Sequence, residues 1–260
     1  MKIYINFDDS RPIGLKTKER LTEISRELKI EIVKNINDAE IIMSIGGDGT
    51  LLKSARLTSG KPIVGINTGT LGYLTEISPD NIKKALKDIL DENYTIEYRM
   101  MLEGEIIKSN GETIKVPESL NEIAVSKNTF GVVRFDVIVN DKLINSYTAD
   151  GMIVCTPTGS TAYNLSCGGP IVDPTAHIIT LTPIAPHTTL NRSIVLSDDS
   201  IVDIKITELR EDTSSYVLYD GLPIEVFSED IIRIKKSDKI TKIIKLEDRS
   251  FIDTIRENIN

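Results

Sequence analysis

Glu40-Ile-Ile-Met-Ser-Ile-Gly-Gly-Asp-Gly-Thr50 is the stretch whose reading decides how this chain folds. The run Ile41 to Ile45 has the length and apolar character of a short buried strand, and it stops at Gly46-Gly47-Asp48-Gly49-Thr50. Leu51 to Arg56 continues as the first turns of a helix. A strand, a glycine-rich turn and a helix bring bare backbone N–H groups up to a phosphate, and the helix dipole adds roughly 0.3–1 kcal/mol of attraction. Glycine lets a ligand come close to the main chain. Asp48 repels phosphate and so needs a task in such a loop. Helping to hold Mg²⁺ and accepting a proton from an attacking hydroxyl are both open to it. The plain structural alternative is a strand-to-helix turn with Asp48 as N-cap.

Outward from that stretch, strands alternate with helices. Lys2 to Phe7 patterns as a strand, and Thr17 to Leu28 as an amphipathic helix with Leu21, Ile24 and Leu28 inward. Lys61 to Asn67 is a further strand ending in Asn67-Thr-Gly-Thr-Leu-Gly-Tyr-Leu74. Asn81 to Leu90 is a helix whose apolar face is Ile82, Leu86, Ile89 and Leu90. This alternation predicts a parallel sheet, which binds ligands at the carboxyl ends of its strands. Both glycine loops, after Ile45 and after Ile66, fall at such ends.

The pattern changes near Tyr98, after which short β-rich runs are separated by turn residues. Asn110-Gly111 between Glu105–Lys108 and Thr113–Val116 marks one hairpin, and Asn140-Asp141 between Val132–Val139 and Lys142–Thr148 a second. Met152–Thr156, Ile178–Thr182, Ile201–Thr207 and Tyr216–Tyr219 supply further strands, predicting a mostly antiparallel domain. The tail holds a strand at Lys242–Leu246 and a helix carrying Phe251, Ile252 and Ile255, a pattern that suits the α/β half. The expected domains are 1–98 completed by a return of 232–260, and 99–231. The fold class is α/β plus all-β.

The 260 residues carry a net charge of −8 with pI near 5.0, which argues against a nucleic-acid partner. Two cysteines, Cys155 and Cys167, make no disulfide framework or metal-ligand spacing, and with only His177 and His187 no zinc site is expected. The start Met1 to Asp8 lacks a signal-peptide pattern, and no segment approaches the roughly 18 apolar residues of a membrane span. The expectation is a cytoplasmic protein without a membrane partner.

A second chemical block runs from Ala149 to Gly169. The strand Met152–Thr156 meets Pro157, which cannot continue a ladder. Thr161 to Ser166 is expected to be a short helix capped by Ser160 and stopped by Gly168-Gly169. Thr156, Thr158, Ser160 and Thr161 crowd hydroxyls beside Tyr163, a set suited to phosphate, ribose or base edges. Asp150 is suited to accept hydrogen bonds from ribose hydroxyls or a base amino group. The plain alternative is a capped surface turn.

Taken in order, Gly46-Gly-Asp-Gly-Thr50, Asn67 to Leu74, Asn121-Glu122, Asp150-Gly151, Thr156-Pro-Thr-Gly-Ser-Thr-Ala-Tyr163, Gly168-Gly-Pro-Ile-Val172 and Thr182-Pro-Ile-Ala-Pro-His187 resemble the signature set of NAD kinases. The first motif is shared with lipid kinases and phosphofructokinases, whereas the block ending in Tyr163 is specific. The resemblance implies a fold of the NAD kinase/diacylglycerol kinase-like type. It also implies Mg²⁺-dependent transfer of a phosphoryl group from ATP or polyphosphate to the 2′-hydroxyl of the adenosine ribose of NAD.

By the same resemblance Asp48 is the proton acceptor, and Gly49 and Lys53 face the dinucleotide or the phosphates. Gly46, Gly47, Gly49, Thr50, Asn67 and Gly69 form the phosphate-donor loop. Asn121 and Glu122 hold the adenine ribose or the NAD phosphate side, Asp150 the nicotinamide end, and Thr161, Ala162, Tyr163 and Ser166 the adenine end. Asn164 and Ala185 belong to the NAD-binding set. No dedicated metal ligand is implied, magnesium being carried by the nucleotide. Assembly as a homodimer or homotetramer is implied too. One departure stands out: many bacterial members carry a basic residue two positions before the aspartate matching Asp150, where this chain has Thr148.

A lipid kinase is disfavoured by the absence of a basic amphipathic helix or a long exposed apolar run. A non-catalytic NAD or NADP sensor would have no use for Asp48 among phosphate-facing glycines. A Rossmann dehydrogenase lacks its Gly-x-Gly-x-x-Gly here.

Overall fold

The structure is a computed structural model that describes residues 1–58, 60–69, 72–75, 77–127, 131–187, 189–209, 215–246 and 250–259. The chain divides into two compact units, Met1–Arg99 with Ile240–Asn260, and Met100–Lys239.

The first unit runs β1 (Lys2–Phe7), α1 (Pro12–Glu27), β2 (Glu31–Ile32), β3 (Ile41–Gly46), α2 (Asp48–Leu57), β4 (Pro62–Asn67) and α3 (Ile82–Leu90). Its strands lie in the order β2-β1-β3-β4, all parallel. Every residue of β3 is buried, which is why its sequence is an unbroken apolar run rather than an alternation. Leu21 and Ile24 of α1 and Ile82, Ala85, Leu86 and Ile89 of α3 close on Met43, Ile45, Val64 and Ile66 of the sheet.

Two boundaries and one facing differ from the sequence pattern. α1 begins at Pro12 rather than Thr17, because proline is favourable at a helix's first position. α2 begins at Asp48, with Gly47 as the N-cap, so Asp48 is the first helical residue and not the cap. Leu90 is 41% exposed, since the spacing of Ile82, Leu86 and Ile89 turns residue 90 off the buried face.

The second unit contains most of β5 (Thr95–Ile107), then β6 (Thr113–Ser119), β7 (Glu122–Lys127), β8 (Val133–Val139), β9 (Lys142–Ala149), β10 (Gly151–Cys155) and the short α4 (Tyr163–Ser166). It continues through β11 (Ile178–Ile184), β12 (Ile194–Ser197), β13 (Val202–Glu208), β14 (Ser215–Tyr219), β15 (Leu222–Val226) and the start of β16 (Ile231–Lys245). One antiparallel sheet has the order β12-β11-β10-β7-β14-β15. In the rest of the unit β9-β8-β13-β16 is antiparallel, as is the β5–β6 hairpin. The core joins Ile123, Val125, Met152, Val154 and Leu181 of the first sheet to Phe135, Val137, Tyr147, Val202 and Ile232.

Asn140 and Asp141 have φ of 49° and 62°, the paired left-handed turn that twists a two-residue hairpin correctly. β7, β12 and β15 escape the sequence pattern; β7 opens on the acidic residue Glu122. Within β16, Ile231–Ile234 pair inside the second unit and Lys242–Ile243 inside the first, so the return into the first unit begins at Ile240 rather than 232. The final helix is α5 (Phe251–Ile259). Among the described residues no helix is long and apolar enough to cross a membrane.

Candidate functional site

In the first unit, β3 delivers the chain to Gly47, whose carbonyl accepts the N–H of Thr50 at 3.0 Å and starts α2. The next N–H groups, of Asp48 and Gly49, have no acceptor inside the helix. Gly47 and Gly49 are exposed, and a Cβ at either would meet none of the described residues within 4 Å. Neither has a positive φ. Among the described residues nothing crowds position 49 inside the helix, where glycine costs about 0.5–1 kcal/mol relative to alanine. The bare main chain there is what an approaching phosphate needs. Gly46 differs: it is buried in β3, and its missing Cβ makes room for the Thr50 side chain. Gly46 therefore serves packing rather than the open loop.

The Asp48 carboxylate is half-buried and clasped by the segment after β4. Oδ2 accepts the Tyr73 N–H at 2.8 Å, and Oδ1 accepts the N–H of Leu74 at 3.1 Å, the N–H of Thr75 at 3.2 Å and the Thr75 hydroxyl at 3.1 Å. Among the described residues Oδ2 receives that single donor, so it keeps a lone pair for a ligand hydroxyl. Asn67 is buried and shapes the same segment, its Oδ1 accepting the Gly69 N–H at 2.7 Å and its amide donating to the Thr75 carbonyl at 3.4 Å. Within Asn67 to Leu74, Thr70 and Leu71 lie outside the described residues. Lys53 is exposed one turn along α2 and acts on Asp8. The Asp8 carboxyl is held below its usual range chiefly by hydrogen bonds from Ser10, with Arg11 and Lys53 adding to the effect.

In the second unit, β7 and β10 run side by side, with Cys155 opposite Glu122 and Gly151 opposite Ser126. Asp220, at the β14–β15 turn with φ of 43°, holds the corner before β7. Its carboxylate accepts the N–H groups of Leu120 at 3.0 Å, Asn121 at 2.8 Å and Glu122 at 3.4 Å. Glu122 is only 6% exposed, and among the described residues its Oε2 has no hydrogen-bond partner. Burial, with the Asp220 carboxylate adding to it, pushes the Glu122 carboxyl up to about 8. Burial likewise pushes the Cys155 thiol up to about 12, helped by Glu122.

Asp150 lies between β9 and β10, its Oδ1 2.6 Å from the Lys127 ammonium. Burial raises the Tyr163 phenol above its ordinary value, and Cys167, Asp150 and Glu122 add to the effect.

The expected helix from Thr161 to Ser166 is broken: a 3-10 turn spans Thr158–Thr161, Ala162 leaves helical geometry at φ −97°, ψ −128°, and α4 resumes at Tyr163. Ser160 caps neither piece. Its hydroxyl accepts the Val172 N–H at 3.0 Å, while Thr156 accepts the Gly159 N–H at 3.0 Å at the start of the turn. Thr161 is half-buried, Tyr163 and Ser166 are exposed, and Ala185 sits exposed at φ 43°, a left-handed conformation that costs an L-residue about 1–2 kcal/mol. Asn164 is different. It is fully buried, its amide donates to the Ser160 and Pro170 carbonyls at 3.0 Å each, and its oxygen accepts the Thr182 hydroxyl at 2.6 Å. These bonds use both amide hydrogens, so Asn164 is a structural hub and not a ligand-facing side chain.

Comparison with known proteins matches residues 8–94 to the family described as ATP-NAD kinase N-terminal domain and residues 120–246 to ATP-NAD kinase C-terminal domain. The chain belongs to the NAD kinase family. It is 42% identical over 225 residues to the NAD kinase of Caldanaerobacter subterraneus subsp. tengcongensis, covering 85% of this chain and 78% of that one. Against the NAD kinase of Heliobacterium modesticaldum it is 36% identical over 254 residues, covering 95% and 88%. An NAD kinase from Archaeoglobus fulgidus, solved in complex with ATP, superposes with a TM-score of 0.78 at 27% identity over 99% of this chain and 96% of that one. Yeast NADH kinase, solved with NADH, shares the fold with a TM-score of 0.88 at 23% identity over 100% and 87%.

Set beside the NAD kinase motifs, two residues of the second unit are given no role by the sequence reading. Asp220 was legible only as half of an Asp-Gly turn. Lys127 ends a strand and carries no local signal at all. Among the described residues no group of three or more His, Cys, Asp and Glu side chains is placed to hold a metal ion.

Proposed function

We propose that this NAD kinase moves the terminal phosphoryl group of ATP, or of polyphosphate, onto the 2′-hydroxyl of the adenosine ribose of NAD, with Asp48 taking the hydroxyl proton. Phosphorylation of NAD to NADP is the activity of the family. The observation that carries the finer reading is the Asp48 carboxylate, fixed by the donors from Tyr73, Leu74 and Thr75 beside main chain left open at Gly47 and Gly49.

In this mechanism the hydroxyl oxygen forms its bond to the terminal phosphorus as the bond to the ADP oxygen breaks. The proton passes to Asp48 Oδ2, late in the transfer, because positioning and electrostatics supply most of the catalysis in phosphoryl transfer. The free N–H groups of Asp48 and Gly49 and the dipole of α2 bind the donor's phosphates. Magnesium enters as part of the substrate, bound to the phosphates and its own waters. In the second unit Asn121 and Glu122 hold ribose or phosphate groups of NAD, Asp150 faces the nicotinamide end, and Thr161, Ala162, Tyr163 and Ser166 the adenine end, with Ala185 beside them. A cytoplasmic setting and a homodimeric or homotetrameric assembly complete the reading.

The test is an end-point assay of purified protein with Mg²⁺, NAD and either ATP or polyphosphate, with NADP read by an NADP-specific dehydrogenase. NADP with one or both donors is the expected result. Binding of NAD without product would overturn catalysis in favour of a sensor.

A further inference from the structure

Lys127 and Asp150 face each other because of strand register. β7 pairs with β10 up to Ser126 opposite Gly151, and one residue further the Lys127 N–H donates to the Asp150 carbonyl at 2.9 Å. That backbone contact holds the side chains together: the ammonium stands 2.6 Å from Asp150 Oδ1 and also donates to the Gly131 carbonyl at 3.1 Å. Both side chains are about one-third exposed, 33% for Lys127 and 28% for Asp150, so the pair is at the surface of the site and open to a ligand.

Oxidised and reduced dinucleotides are nearly the same shape and differ by one positive charge on the nicotinamide ring. A bare carboxylate beside that ring attracts the cationic form and is indifferent to the neutral one. A carboxylate already paired with an ammonium offers little net charge to either. We propose that Lys127, by neutralising Asp150, sets the choice of phosphoryl acceptor between NAD and NADH and keeps the site from strongly favouring the oxidised form. The proposal rests on the reading that Asp150 faces the nicotinamide end.

The experiment compares kcat/KM for NAD and for NADH in the native enzyme, Lys127→Met, Lys127→Arg and Asp150→Asn, with melting curves to confirm folding and Lys127→Gln as a second neutral variant. Lys127→Met and Lys127→Gln should raise the NAD-to-NADH ratio by about three- to tenfold, the effect of one unscreened charge at several ångströms near a protein surface. Lys127→Arg should restore the native ratio. An unchanged ratio in both neutral variants overturns the proposal. Asp150→Asn separates the causes. If it alters the constants for the dinucleotides while the lysine variants do not, the role of Lys127 fails; if it alters neither, the placement of Asp150 fails.

Discussion

The Asp48 carboxylate and the α-carbon of Gly72 lie so close that a Cβ at position 72 would stand 2.2 Å from Asp48 Oδ1. The site carboxylate is therefore located by the segment from Gly72 to Thr75 as much as by its own helix. Gly72→Ala must displace it, and displacements of this kind cost on the order of 10²-fold in rate. Turnover should fall with little change in KM for NAD, as steady-state kinetics would show. Asp48→Asn removes the proton acceptor and should lower turnover by about 10²–10⁴-fold. It also leaves N–H groups of the clasping segment short of an acceptor, at a stability cost of about 1–3 kcal/mol visible in denaturant melts. Near-normal turnover in Asp48→Asn would remove it from the chemistry.

Among the described residues Gly49 has open space before it and no positive φ, so alanine fits the fold there. Gly49→Ala, inside α2, should leave stability unchanged or raise it by about 0.5–1 kcal/mol. The added methyl should nonetheless lower kcat/KM for the phosphate donor by about tenfold or more by blocking the main-chain N–H groups. A variant that melts higher and works worse is the expected signature. One that melts lower would show that this glycine serves packing.

Glu122 gives the enzyme a pH dependence of known sign. Its carboxyl lies at about 8 in the folded protein against an ordinary value of 4.5. Between those values the folded state holds a proton that the unfolded state has released, so stability falls as pH rises from 4.5 to about 8 and then levels. The penalty reaches on the order of a few kcal/mol. Glu122→Gln mimics the neutral acid, so it should match the native protein near pH 5 and melt at a higher temperature than it above pH 8. Parallel curves of Tm against pH for the two proteins would show that Glu122 is ionised throughout.

Asn164 ties the turn around Ser160 to Pro170 and β11 through buried hydrogen bonds. Asn164→Ala leaves the Thr182 hydroxyl and two carbonyls without this partner and should cost about 2–4 kcal/mol. If Asn164 instead contacted NAD directly, the variant would raise KM with melting unchanged.

Local sequence signals carried well where a single physical cause acted alone. The β3 run is legible because burial on both faces requires continuous apolar residues, and Asn140-Asp141 because few residues accept two consecutive positive φ angles. They carried poorly where distant groups compete. Ser160 is a good capping residue, yet its hydroxyl is taken by Val172, twelve positions away. The burial of Asn164 has the same origin, since its oxygen accepts the hydroxyl of Thr182 from a separate strand, whereas Gly46 makes room for Thr50 within its own motif.

By itself the sequence determined an α/β half followed by an antiparallel half, the two glycine loops at strand ends, and a motif order that names the family, since these depend on periodicity, turn chemistry and residue types within short spans. Only the tertiary structure decided which glycines are bare, which atom of Asp48 keeps a free lone pair, why Glu122 holds its proton, and that Lys127 stands against Asp150. The clasp on Asp48, the Asp220 corner beside Glu122 and the Lys127–Asp150 pair bring together atoms 23 to 100 positions apart by strand pairing and loop clasping, and no local pattern encodes such a meeting.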